Sequence, residues 1–172
     1  MKYILALIIA LIALALTLNF NSPVTSTTQS IKYTGVACIY KNSELVTCKH
    51  NIITNKGKDL IKTDMMGTGA VTLDQLAVAN STSAQSASDT DLQGEWTTCG
   101  LARATGALTS IGTGNWSINY QWTSTCDNVY VNATGIYNTT ASGNLFAETT
   151  WSPTTTLMNG DKLNVTYYTW VS

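Results

Sequence analysis

Apolar and polar positions alternate with a period of two along much of this chain, which is the pattern of strands that bury one face and wet the other. Trp116, Ile118, Tyr120 and Trp122 are interleaved with Ser117, Asn119 and Gln121, and Leu163, Val165 and Tyr167 with Asn164 and Thr166. Ile31 to Tyr40 and Leu45 to Ile53 are rich in β-branched and aromatic residues and flank Lys41-Asn42-Ser43-Glu44, so they predict a hairpin. Further strands are predicted over Val71 to Ala79, Thr97 to Thr105, Trp116 to Thr125, Val129 to Tyr137, Leu145 to Trp151 and Leu163 to Val171. A long Ser/Thr/Asp loop spans Asn80 to Thr90. One segment has helical character: Asn55 is suited to cap it, Leu60, Ile61 and Met65 to face a core, and it ends by Gly67. The expected fold is all-β, a jelly-roll-like β-sandwich with one short helix and an N-terminal extended strand.

The N-terminal strand is Leu16 to Val24. Leu16, Leu18, Phe20 and Val24 fall on one side of it, and only Ser22 interrupts that side. Ahead of it, Lys2 and the uncharged run Tyr3 to Leu18 have the form of a secretion signal, and Ala13-Leu14-Ala15 has the small-x-small form of a cleavage site. Cleavage after Ala15 would make Leu16 the first residue, whereas a cut at Val24-Thr25-Ser26 would remove the strand. The expected division is residues 1–15 as signal peptide, 16–30 as donor strand and linker, and 31–172 as sandwich body. The apolar run is shorter than the about 20 residues usual for a span, so no stable membrane span is expected after processing. No Gly precedes the run, unlike a type IV pilin leader.

Composition narrows the choice of partners. Charged residues are 11% of the chain, against about 25% in ordinary globular proteins, and Ser, Thr, Asn and Gly replace them. Without Lys2 there are eight Lys and Arg against ten Asp and Glu, a balance of about −2 that attracts neither nucleic acid nor an anionic membrane. Four cysteines in a secreted chain read as a disulfide framework with three possible connectivities. Adjacency of the predicted strands selects Cys38 with Cys48 and Cys99 with Cys126. Asn80, Asn115, Asn132, Asn138 and Asn164 each begin an Asn-x-Ser/Thr sequon, and Asn132 and Asn164 project away from the apolar face of their strands.

Catalytic chemistry is not legible. The single histidine, His50, has no nucleophile or orienting partner in a recognisable pattern. Asp89, Asp91 and Glu95 offer oxygen ligands without EF-hand spacing, and Cys38, Cys48 and His50 lack the CxxC spacing of a zinc site. No enzyme, metal or cofactor is expected.

Several strings carry a family resemblance: Ile53-Thr54-Asn55-Lys56-Gly57, Leu76-Ala77-Val78-Ala79-Asn80, Asp89-Thr90-Asp91-Leu92 with Glu95, Gly100-Leu101-Ala102-Arg103, and Gly112-Thr113-Gly114-Asn115-Trp116. They resemble archaeal extracellular filament subunits, the thread and bundling-pilus proteins of thermophilic archaea, which are similar in fold to a bacterial biofilm fibre protein. The resemblance implies secretion, a sandwich body, glycosylation, adhesion or biofilm formation, and a head-to-tail homopolymer in which Leu16, Leu18, Phe20 and Val24 are donated to the next subunit. Other filaments or cell surfaces would be further partners, and the location would be an extracellular cell-surface filament. Two other readings follow from the same residues. One is a monomeric secreted glycan-binding module that stacks sugars on Trp96, Trp151 and Trp170, and the other is a virion structural protein.

Overall fold

The computed structural model describes residues 32–141 and 143–172. The chain divides into two units, Met1–Ser30 and Ile31–Ser172, and the described residues belong to the second. The expected signal peptide and the donor strand of Leu16, Leu18, Phe20 and Val24 lie outside the described residues.

The body is an all-β sandwich. Its first sheet runs in the order β2 (Glu44–His50), β1 (Tyr33–Lys41), β10 (Lys162–Val171), β7 (Asn115–Thr123), β6 (Ala107–Gly112). The second runs β3 (Ile52–Ile53), β9 (Leu145–Leu157), β8 (Val129–Tyr137), β4 (Gln75–Ala79), β5 (Ala104–Thr105). Every pairing is antiparallel. The alternating residues do what their pattern requires: Ala37, Ile39, Ile118, Trp122, Leu163, Val165 and Tyr167 of the first sheet are buried, and they form one core with Leu76, Val78, Val131 and Phe146 of the second.

The second sheet is buried on its other face as well. Ala77, Ala79, Ala133, Tyr137 and Leu145 pack there with Leu92, which comes from the loop after β4. This explains why Leu76-Ala77-Val78-Ala79 is an unbroken apolar run rather than an alternating one. Thr134, paired with Val78 on the inner face of the same sheet, donates its hydroxyl to the Ala77 carbonyl at 2.8 Å and is fully buried.

Several expectations are corrected. The stretch Leu45 to Ile53 is two strands rather than one, because the chain leaves the first sheet after His50 and enters the second at Ile52. The helix α1 (Asn55–Met65) is capped by Thr54 rather than Asn55. The Thr54 hydroxyl accepts from the Gly57 amide at 2.9 Å and donates to the Leu145 carbonyl, which no residue inside the helix could do. Met65 is 65% exposed instead of facing the core, while Leu60 is buried. Of Thr97 to Thr105 only Ala104–Thr105 is strand; Cys99 and Gly100 have positive φ (57° and 73°), which breaks an extended run. β6 was not anticipated, and β9 continues to Leu157 by way of a register shift opposite Asn132 that accommodates Pro153.

The helix lies close on β9: a side chain at Gly57 would overlap the Phe146 carbonyl, so only glycine fits. Both disulfides join the pairs expected from strand adjacency, Cys38 with Cys48 and Cys99 with Cys126. Such bonds form and persist in oxidising surroundings. Among the described residues no helix is long and apolar enough to cross a membrane.

Candidate assembly surface

A sandwich of two open sheets has four edge strands, and this one treats its four edges unequally. β3 and β5 are two residues each, too short to template another strand. β2 carries Glu44 and Lys49 and is bulged against β1 where Ile39 gives way to Tyr40. Charge and bulge both discourage pairing with another chain. β6 also shifts register, against β7 between Ser110 and Gly112, but it carries no charge: its sequence is Ala-Leu-Thr-Ser-Ile-Gly, all six residues are exposed, and no charged residue occurs from Ala104 to Cys126.

The apolar residues of β6 are not turned into the core. Leu108 lies opposite Ile118, so the two share the inner face of the first sheet. Ile118 is 1% exposed, yet Leu108 is 52% exposed. The facing sheet ends on this side in the two-residue β5, so the inner face of β6 lacks a covering strand. Ile111, at the register shift before Gly112, is 56% exposed.

Close to this edge an apolar cleft of about 170 Å³ opens between α1 and the ends of both sheets. Tyr33, Leu60, Leu73, Trp116 and Phe146 line it, with Met65 and one charged residue, Asp64, from the helix. Trp116 is cross-strand from Ser110 of β6, so the cleft and the uncharged edge meet at this residue pair.

The other candidate residues are dispersed. His50 is exposed at the end of β2. Asp89 and Glu95 are committed separately: Asp89 accepts from the Ser86 amide at 2.9 Å, and Glu95 holds Arg103 through two bonds of 3.0 and 2.7 Å. The Arg103 guanidinium lies 3.4 Å over the Tyr137 ring, and burial pushes the Tyr137 hydroxyl up to about 12. Among the described residues no grouping of His, Cys, Asp or Glu is arranged to hold a metal. The three tryptophans of a sugar platform do not converge. Trp151 is buried with its Nε1 donating to Thr155 Oγ1, Trp96 donates to the Tyr130 carbonyl, and Trp170 is half-buried on β10 beside Tyr168.

The sequons differ sharply in access. Asn80 and Asn115 are exposed, whereas Asn132, Asn138 and Asn164 are half-buried. Asn138 Oδ1 accepts from the Asn144 amide at 2.8 Å, and Asn164 Oδ1 from the Thr166 hydroxyl at 3.2 Å. Asn132 is held on both sides of its amide: its Oδ1 accepts from the Ser81 amide at 2.7 Å and its Nδ2, the atom that would bear a glycan, donates to the Ser81 carbonyl at 2.8 Å.

The uncharged edge escaped sequence reading because Ala107-Leu108-Thr109-Ser110-Ile111-Gly112 has no clean alternation. Its one legible signal is the 23-residue absence of charge from Ala104 to Cys126. No known family matches this chain, and no curated protein or solved structure matches it either.

Proposed function

We propose that this protein is a structural subunit of an extracellular filament, polymerising by donating residues 16–24 to the sandwich of the next subunit. The observation that carries the reading is the unequal treatment of the sheet edges, in which β6 alone is long, exposed and free of charge. A soluble monomer normally protects such an edge, since its unpaired N–H and C=O groups recruit other strands. A strand that alternates as Leu16, Leu18, Phe20 and Val24 do supplies both the hydrogen bonds and an apolar face. The contact is heterologous, so repeating it extends a fibre rather than closing a ring. The two disulfides suit an exterior location. Adhesion or biofilm formation is the role such a fibre would serve.

The test is electron microscopy of the secreted protein. Phe20→Asp places an unpaired charge where an apolar side chain should be buried, at a cost of several kcal/mol, and is expected to abolish filaments. Asn19→Asp, on the opposite side of the strand, is expected to leave them intact. Equal behaviour of the two variants would refute donation by this strand.

A further inference from the structure

Resting on the reading above, we propose that β6 is the acceptor edge, and that it takes residues 16–24 of a second copy of this chain in antiparallel orientation. Three observations on the molecule converge on this. The edge and the segment are both uncharged, so neither carries a repulsive element against the other. Inward Leu108 is left half exposed beside fully buried Ile118, which marks a missing neighbour on the inner face. Ser110, the small inward residue of β6, sits across from Trp116, which lines the apolar cleft, so the open edge and the cleft adjoin.

Orientation favours a second copy over the chain's own N-terminus. Tyr33 pairs with Val171, and Asn115 pairs with both Trp170 and Gly112, so β1 starts at the end of the sheet where β6 finishes. An added strand beyond β6 lies four inter-strand spacings from β1, about 19 Å. If the same chain ran antiparallel to β6, its Val24 end would point away from Tyr33 by the length of the strand, about 26 Å at 3.3 Å per residue. Together these displacements amount to about 32 Å, which the nine steps from Val24 to Tyr33, about 30–32 Å at full extension, span only when stretched taut. Antiparallel insertion in cis therefore needs a fully stretched linker, and the parallel arrangement is the less stable per residue and foreign to a sheet that is otherwise wholly antiparallel. A strand arriving from another molecule has no such constraint.

Two full-length variants test the assignment by complementation. Leu108→Asp keeps an intact donor but charges the edge, and Phe20→Asp keeps an intact edge but spoils the donor. Each alone is expected to stay monomeric by light scattering, and an equimolar mixture is expected to give dimers and nothing larger, because one donor then fills one edge and propagation stops. Leu108→Asp forming filaments like the wild type would overturn the β6 assignment while leaving strand donation standing. Phe20→Asp forming filaments would overturn the donation reading itself.

Hydrogen exchange guards against a misfolded edge variant, because it compares wild-type filaments with the Phe20→Asp monomer. Amides of residues 107–111 are expected to exchange at least tenfold more slowly in the filament. Unchanged exchange there, with filaments present, would place the acceptor elsewhere. Protection of the same amides in a wild-type chain that remains monomeric would indicate closure in cis and overturn the proposal.

Discussion

Glu148 is 3% exposed on β9, and its Oε1 accepts from the Ser86 amide at 2.8 Å while Asp89 Oδ2 accepts from the same N–H at 2.9 Å. Burial, followed by the hydrogen bond to Asp89, pushes the Glu148 carboxyl up from 4.5 to about 7. Tyr167 is the other titrating group that feels Glu148, and burial raises its hydroxyl far above the range in which the pair ionises. A folded-state value above the unfolded one means that this group stabilises the fold in acid: the contribution is complete below about pH 4.5 and lost as pH rises through 7. By linkage the effect is at most roughly 3 kcal/mol. Urea unfolding of the wild type is therefore expected to show stability falling between pH 5 and 8, and Glu148→Gln, whose amide keeps an acceptor for Ser86 and a donor for Asp89, is expected to flatten that slope. None of this is legible in the sequence, where Glu148 lies 59 residues from Asp89. The helix cap failed at the same scale. Thr54 and Asn55 are both good caps by type, and the choice fell to Thr54 because Leu145 offers its carbonyl there, while the Asn55 amide donates to Ala87 at 2.7 Å.

The strands with strict alternation were found by sequence, since β7 and β10 each face the core on one side and water on the other. β6 and the division of β2 from β3 were missed. Both lie where the chain passes from one sheet to the other, at Gly106 and Asn51, and a switch of sheets breaks the period on which such reading depends. Cys38–Cys48 was found because alternation had already placed its two strands side by side, whereas Cys99 was paired with Cys126 on the expectation of a strand at Cys99 and the bond joins two loops. The two disulfides differ in what they constrain. Cys38 and Cys48 are directly paired by the β1–β2 ladder and are ten residues apart, whereas Cys99 and Cys126 are separated by 27 and tie the loop before β5 to the loop after β7. Loop-closure entropy gives about 2.7 kcal/mol for the first and about 3.5 kcal/mol for the second. Replacing Cys99 and Cys126 together by Ser is accordingly expected to lower the urea midpoint more than replacing Cys38 and Cys48, and the reverse order would show that strain or residual structure outweighs loop closure.

For the molecule as a whole, scarcity of charge is the dominant fact. With 11% charged residues and no charge on either proposed partner surface, association would rest on apolar burial and backbone hydrogen bonds, which salt does not screen. Filament formation is expected to change less than twofold in extent between about 0.05 and about 1 M NaCl, as measured by sedimentation, and dissociation at high salt would point to an ionic contact instead. The sequence by itself determined the all-β class, the buried faces of β7 and β10 and the disulfide partners, because each follows from period, residue type or proximity to a paired strand. Only the tertiary structure decided that Asn132 is engaged with Ser81, that Glu148 is buried against Asp89, and that β6 stands uncovered. Those properties depend on which segments the two sheets bring face to face and where each sheet ends, and contacts between residues far apart in the chain leave no local pattern to read.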